Sequence, residues 1–220
     1  REHGLNHLYC GMETGSDRVL QLINKGFDSN TVIQSGCLAK EADMILSEFI
    51  LLGIGGKEFS GENARKTADA LNIIQPDFIR VHATGFKPES MMWQLIQDGT
   101  ISLQSEEEIV REQRLFLQCL KEMNSYYVNE HIVNLLLEVR GDLLSEKSQM
   151  LSAINRFLNL PPEERLLFAI GRRFNMFFFL EDLQKPNLRS QAQLYMDEIK
   201  KKNPNMDFAF LCNYIRQSQI

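Results

Sequence analysis

The most constraining feature of the sequence is an alternation of strand-like and helix-like segments over its first 83 residues. Apolar strand-like segments occupy 6–11, 44–54 and 77–83, and the segments between them have helical spacing. Such an order is typical of parallel strands joined by right-handed crossovers. The segment 44–54 is almost continuously apolar, which predicts a strand covered on both faces. The sequence therefore predicts an α/β fold with a parallel sheet.

Small polar residues mark where the helices are expected to begin. The predicted caps are Ser16 or Asp17, Ser29 or Asn30, Ser60, and Ser105 in a capping box with Glu108. After residue 125 the pattern becomes mostly helical, with predicted helices at 131–139, 146–158, 162–173 and 188–202, and a short buried strand as an alternative at 176–180. We therefore divide the chain into an α/β part, 1–125, and a mostly helical tail, 126–220.

Composition excludes several classes of protein. The net charge of −5 disfavours nucleic acid as a partner, and no apolar run reaches the ~18 residues of a membrane span. The four scattered cysteines, without CxxC or CxxxC spacing, predict no metal site and suit a cytoplasmic protein. The opening residues Arg1-Glu2-His3-Gly4 run directly into an apolar segment, which we interpret as the interior of a longer protein.

Chemistry is expected where the three strands end, because ligands of parallel α/β proteins bind at the carboxyl ends of strands. Glu13 can accept hydrogen bonds from two ribose hydroxyls, glycines let a flat ring approach the backbone, and exposed backbone can recognise that ring's edge. Tight turns, helix caps and a structural histidine are the alternatives. The candidate residues are Glu13, Thr14, Ser16, Gly53, Ile54, Gly55, Gly56, Arg80, Val81 and His82.

Long segments of the chain resemble radical S-adenosylmethionine (SAM) enzymes. LYCGMETGSDRVLQLINKGF resembles their fourth strand, with its G-x-E-[ST]-G-[SC] and N-K-G motifs. FILLGIGGKEFSGENARKTADALNIIQPDFIRVHA resembles their fifth strand, glycine-rich adenine-contacting turn and sixth strand. The segments YYVNEHIVNLLLEVRGDLLSEKSQMLSAINRFLNL and LLFAIGRRFN resemble the helical tail of a bacterial subgroup.

The resemblance implies the second half of a partial (β/α)6, TIM-like barrel that holds SAM and a [4Fe–4S] cluster. It implies that Glu13 and Thr14, with Ser16, face the ribose or the amino acid part of SAM. It also implies that Gly53 to Gly56 line the adenine, that Val81 and His82 contact SAM nearby, and that Arg80 binds the carboxylate or forms a salt bridge. The family's C-x-x-x-C-x-x-C loop and first three strands have no counterpart here.

The resemblance therefore indicates the C-terminal portion of a radical SAM enzyme, inactive without a cluster-binding N-terminal part. Its catalytic residues and substrate stay unassigned. A non-catalytic binding module derived from a half-barrel is the alternative, in which an open sheet edge favours self-association or an N-terminal complementing chain. A third hypothesis is an unrelated enzyme with Glu13 and His82 as an acid–base pair.

Three polar residues of the tail are further candidates for a role on the substrate side. His131 is otherwise expected at a helix cap. Arg172 and Arg173 are otherwise expected on the surface, in salt bridges to Glu163 or Glu164.

Overall fold

The fold is built on one five-stranded sheet whose strands lie side by side in chain order. The computed structural model describes residues 3–219, so the ends of the predicted parts at Arg1, Glu2 and Ile220 lie outside the described residues. The first four strands are parallel and the fifth is antiparallel to the fourth. The strands are β1 (His7–Glu13), β2 (Ile45–Leu52), β3 (Phe78–Ala83), β4 (Tyr126–Val128) and β5 (Gly141–Asp142).

Nine helices and one 3-10 turn occupy the described residues. They are α1 (Asp17–Leu22), α2 (Ser29–Glu41), α3 (Gly56–Ile74), α4 (Met91–Gln97), α5 (Glu106–Cys119), α6 (Lys147–Leu158), α7 (Pro162–Arg173), the 3-10 turn Leu180–Gln184, α8 (Pro186–Lys202) and α9 (Phe208–Gln217). The three predicted strands and their parallel order are confirmed. The sequence missed β4, β5, α4 and α9, and segment 176–180 contains no strand.

Helix starts are set by the side chains that satisfy free backbone N–H groups. Ser16 accepts a hydrogen bond from the Val19 amide, and the capping box of Ser105 and Glu108 is confirmed. Asp28, rather than Ser29 or Asn30, caps α2 through the Thr31 amide. The predicted start of α3 at Ser60 was also wrong, because the helix already begins at Gly56.

The core lies between one face of the sheet and the helices. Leu46, Ile50, Ile79 and Val81 point to that face and are at most 1% exposed. The opposite face stays largely uncovered, with Tyr9 59% exposed. The prediction that 44–54 is covered on both faces holds for most of the segment, since Ser47 on the opposite face is also buried, but it was wrong at Ile45, which is 42% exposed.

The segment 131–139 forms turns rather than the predicted helix. Asn134 donates to the Val81 carbonyl over 2.7 Å and accepts from the Ala83 amide over 2.8 Å, so it continues the hydrogen bonding at the end of β3. Hydrogen bonds to β3 thus replace the hydrogen bonds that a helix would make, and they outweigh the helix propensity of this segment. The sheet and one hydrophobic core extend across the proposed boundary at 125/126, and that division stays a prediction.

Candidate functional site

The ends of β1, β2 and β3 lie along one edge of the sheet, as the parallel order predicts. Ile50 is opposite Glu13 on one side and Val81 on the other. The Thr84 amide then donates to the Leu52 carbonyl over 2.9 Å, just beyond the paired strands. The sequence candidates are thereby brought to one rim of the sheet.

Glu13 occupies a bulge at the end of β1. The pairing with β2 shifts between Gly11 and Glu13, and Glu13 has a left-handed φ of 63°. Its Oε1 accepts a hydrogen bond from Lys25 Nζ over 2.7 Å, and its side chain is 19% exposed. A Cβ atom at position 11 would lie 2.7 Å from this oxygen, so Gly11 provides the space for the carboxylate.

Thr14 and Ser16 build the corner between β1 and α1. Both are buried. Thr14 Oγ1 accepts from the Ser16 amide over 3.0 Å, while Ser16 Oγ donates to Glu62 over 2.6 Å and accepts from the Val19 amide. The Gly15 amide donates to Thr67 Oγ1 over 3.0 Å. These hydroxyl groups already have protein partners, so the corner is rigid before any ligand arrives.

The glycine-rich turn Gly53–Gly56 is buried under the segment that precedes α5. The Lys57 amide donates to the Ser102 carbonyl, and a Cβ atom at Gly56 would lie 2.9 Å from that carbonyl oxygen. Gly53 and Gly56 have φ values of 82° and 63°, which glycine adopts readily. A flat ring can reach these glycines only if the 101–104 segment moves away.

Glu112, a residue that the sequence analysis missed, anchors this turn from α5. Its buried carboxylate accepts hydrogen bonds from the Gly53 amide over 3.1 Å, and from Ser60, Asn63 and Gln104 over 2.7, 2.7 and 2.9 Å. Burial raises the pKa of Glu112, although all four donors oppose the rise. The available signal was its helical spacing: Glu112 follows Ile109 by three residues and precedes Phe116 by four, on an apolar face.

The uncovered face of the sheet carries a cation among aromatic rings. The Arg80 guanidinium carbon lies 5.2 Å from the ring centroid of Tyr9 and 5.8 Å from those of Phe49 and Phe78. Ser47 Oγ lies 3.4 Å from Arg80 Nε. Val81 instead points into the core and is fully buried, and its carbonyl accepts a hydrogen bond from Asn134. Flat π surfaces beside a guanidinium suit stacking with an aromatic ligand.

His82 extends the same face toward the rim. Its ring centroid lies 4.4 Å from that of His131 and 5.5 Å from that of Phe49. Burial, with smaller contributions from His131 and Arg80, lowers the pKa of His82 to about 4. The ring is therefore neutral at pH 7 and can donate one hydrogen bond and accept another. The expected helix-cap role of His131 was wrong, because its segment is not helical and its ring packs on His82.

The hypothesis of a Glu13–His82 acid–base pair gains no support from the side-chain contacts. Within residues 3–219, no hydrogen bond or ion pair joins the two side chains. Glu13 pairs with Lys25, while His82 packs against His131 and Phe49.

Three buried arginines join the tail to the rim, contrary to the expectation of surface salt bridges for Arg172 and Arg173. Glu106 accepts two hydrogen bonds from Arg173, over 2.8 and 2.7 Å, and one from Arg216 over 2.6 Å. Arg216 also donates to the Thr84 carbonyl over 2.8 Å. The expected partner Glu164 pairs with Arg189 instead. The sequence pattern missed this cluster because its members are far apart along the chain.

Arg172 and Arg173 also hold the turns that carry His131. Arg172 donates to the carbonyls of Ile132 and Asn134 over 3.2 Å each, and Arg173 donates to that of Val133 over 2.9 Å. Burial lowers the pKa of Arg172 to about 10, and the neighbouring Arg173 adds to this effect. The arginines therefore fix the position of His131 beside the uncovered face.

The described side chains do not fit an iron–sulfur cluster. No group of three or more His, Cys, Asp or Glu residues in the part of the chain from 3 to 219 could hold a metal ion. The cysteines are Cys10, Cys37, Cys119 and Cys212, all with free thiols. In the same residues, none of the helices has the length and apolarity needed to cross a membrane.

Comparisons with known proteins yield only a distant structural likeness. Neither a protein-family model nor a curated protein matches the sequence. The fold is similar to a structure of archaeal Methanocaldococcus infernus Elp3 with an N-terminal deletion (1–46), with 16% sequence identity and a TM-score of 0.48. The match covers 56% of this chain and 29% of that one, so the chain spans less than a third of the length of that structure.

Proposed function

We propose that this chain is the C-terminal portion of a radical SAM enzyme, in which the uncovered face and rim of β1–β3 form one wall of the SAM site. The observation that carries the proposal is that parallel strands bring Glu13, Arg80 and His82 to one face and rim that helices leave accessible. The order of these residues follows the motif order that resembles this family.

In this proposal each candidate residue has a separate role. Glu13 accepts hydrogen bonds from the ribose hydroxyls, and the rigid Thr14–Ser16 corner fixes its backbone. Arg80 binds the SAM carboxylate, and neutral His82 contacts the nucleoside. Gly53 to Gly56 line the adenine after the 101–104 segment moves. The [4Fe–4S] cluster needs ligands that these residues do not provide, so an N-terminal complementing part has to supply them.

The proposal is tested by binding rather than by turnover, because the chain alone is expected to be inactive. S-adenosylhomocysteine and adenosine are titrated into the 220-residue chain by isothermal calorimetry. We expect saturable binding of both ligands, at least tenfold weaker binding of both to Glu13→Gln, and weaker binding of S-adenosylhomocysteine alone to Arg80→Ala. Glu163→Gln, an exposed change at the start of α7, is the matched control. Absence of saturable binding to the unaltered chain would refute the proposal.

A non-catalytic binding module is the second candidate function, and the uncovered sheet supports it. Tyr9, Ile45 and Tyr126 are 59%, 42% and 40% exposed on this face, and β1 is an edge strand. Such an edge can pair with another chain. This function predicts a concentration-dependent increase in mass by light scattering without SAM or iron. A monomer at every concentration would contradict self-association and leave an N-terminal complementing chain as the partner of such a module.

A further inference from the structure

A separate cavity lies on the other face of the sheet, between β1, β2 and α2. Its volume is about 310 Å³, the space of about ten water molecules at ~30 Å³ each. This size suits a small molecule. Its lining residues are Cys10, Met12, Phe27, Thr31, Val32 and Glu48, together with Gly11 and Ser35.

Glu48 is the unusual residue of this cavity. It is only 2% exposed, and within residues 3–219 its Oε2 atom has no hydrogen-bond partner. Buried polar atoms are rarely left without a partner, because the lost hydration has to be compensated. The cavity wall is mostly apolar, and its hydroxyl groups donate elsewhere, Thr31 to Asp28 and Ser35 to the Thr31 carbonyl. A ligand with its own N–H donor would complete the carboxylate.

The surroundings of Glu48 favour a cationic donor over a neutral one. Burial is the main cause that raises the pKa of Glu48 to about 8, and the negative charge of Glu13 is the second. The Glu13 charge therefore acts at the Glu48 carboxyl group. Lys25 is already paired with Glu13. Cys10, whose pKa is raised by burial and by Glu48, is a neutral thiol at pH 7. The ring of Phe27 adds an aromatic surface that attracts cations.

In the described part of the chain, the helices and the strand packed beside Glu48 add no buried charged group. The buried side chains of α2 and α3 include no titratable group. On the neighbouring strand β3, the residue opposite Glu48 is Ile79. Among residues 3–219, Glu48 is therefore the one carboxyl group lining the cavity, and Glu13 with its partner Lys25 is a nearby ion pair.

We propose that this cavity binds a small primary alkylammonium ion, whose N–H groups donate to the Glu48 carboxyl group and whose carbon chain lies against Met12, Phe27 and Val32. Binding removes one proton from the Glu48 carboxyl group and forms a buried ammonium–carboxylate pair. The site faces away from Arg80 and His82, so this proposal does not depend on SAM binding.

Calorimetry with n-butylammonium as the probe and 1-butanol as its neutral analogue tests the proposal. We expect release of about one proton per ligand, measured in buffers that differ in ionisation enthalpy, and an affinity that rises up to about tenfold per pH unit from pH 6 to 7. Glu48→Gln should bind n-butylammonium at least tenfold more weakly, while the exposed control Glu163→Gln binds it normally.

Three results would overturn the proposal. They are absence of binding at millimolar n-butylammonium, binding of 1-butanol as strong as that of n-butylammonium, and an affinity that does not change with pH. The pH profile uses the unaltered chain, so it decides the question even if Glu48→Gln does not fold. S-adenosylhomocysteine, if it binds, should not compete with n-butylammonium, which separates this test from that of the proposed function.

Discussion

Replacing Glu106 by glutamine should destabilise the fold more than any other single loss of charge described above. The carboxylate is 5% exposed and accepts three hydrogen bonds from Arg173 and Arg216. In Glu106→Gln an amide N–H₂ group replaces one acceptor, so two buried guanidinium groups lose their counter-ion. Removal of one partner from a buried ion pair costs about 3–5 kcal/mol.

The assay is thermal and urea unfolding of the 220-residue chain at pH 7. For a domain of this size, 1 kcal/mol corresponds to about 2–4 °C. The expected loss in melting temperature is therefore about 6–20 °C.

The neighbouring residue offers a matched control. Glu107 also pairs with two arginines, Arg111 and Arg165, but its side chain is 30% exposed. Because water screens such pairs, Glu107→Gln should cost about 0–1 kcal/mol. Equal losses in the two variants would refute the reasoning that burial of the charge decides the cost.

The pH dependence gives an independent check on Glu106. Burial alone would raise the pKa of Glu106, but Arg173 and Arg216 together hold it below its ordinary value. A depressed pKa in the fold stabilises the protein above the unfolded-state pKa, and this stabilisation is lost as the pH falls through the folded-state value. Acidification below about pH 4.3 should therefore cost the unaltered protein more stability than it costs Glu106→Gln.

Three further predictions concern substitutions at single residues. Burial and Glu13 raise the pKa of Glu48 to about 8, so the stability that this carboxyl group contributes is complete below about pH 4.3 and is lost as the pH rises to 8. In urea unfolding, Glu48→Gln should therefore lack this loss of stability between about pH 4.3 and pH 8. Glu112→Ala should cost about 3 kcal/mol or more in urea unfolding, since several buried donors lose their acceptor. Glu112→Gln should cost less, because the Gln104 side chain can turn and accept from the new amide, and equal costs would contradict this. In thermal unfolding, Gly15→Ala should cost about 1–3 kcal/mol, since its Cβ would lie 2.2 Å from a backbone oxygen, whereas Gly61→Ala within α3 should be neutral or stabilising.

Sequence patterns predicted the parts of the fold that local interactions decide. The three first strands were predictable because each is an apolar run that ends at a glycine or polar corner. Ser16 and Ser105 were predictable caps because a cap bonds within three residues of itself. Parallel pairing followed from the helices between the strands, and this pairing placed the three candidate segments on one rim.

The remaining features depend on contacts between distant residues. The turns at 131–139 have helical spacing in the sequence, but Asn134 completes the end of β3, 51 residues earlier. Arg173 and Arg216 look like surface residues until Glu106 is placed beside them, 67 and 110 positions away. The spacing of residues within one segment does not show which distant residues it will contact. The buried charge network and the partners of His82 therefore could not be predicted.

The buried charge network changes what the tail can do in the proposed enzyme. Asn213 of α9 exchanges hydrogen bonds with the backbone of Phe86, and Arg216 of the same helix donates to the Thr84 carbonyl. Arg173 of α7 holds the turn that follows His131. A shift of either helix therefore displaces the end of β3 or the ring beside His82. The buried hydrogen bonds of the tail end on the backbone of the rim. The tail therefore supports the uncovered face and sets its geometry, rather than covering it.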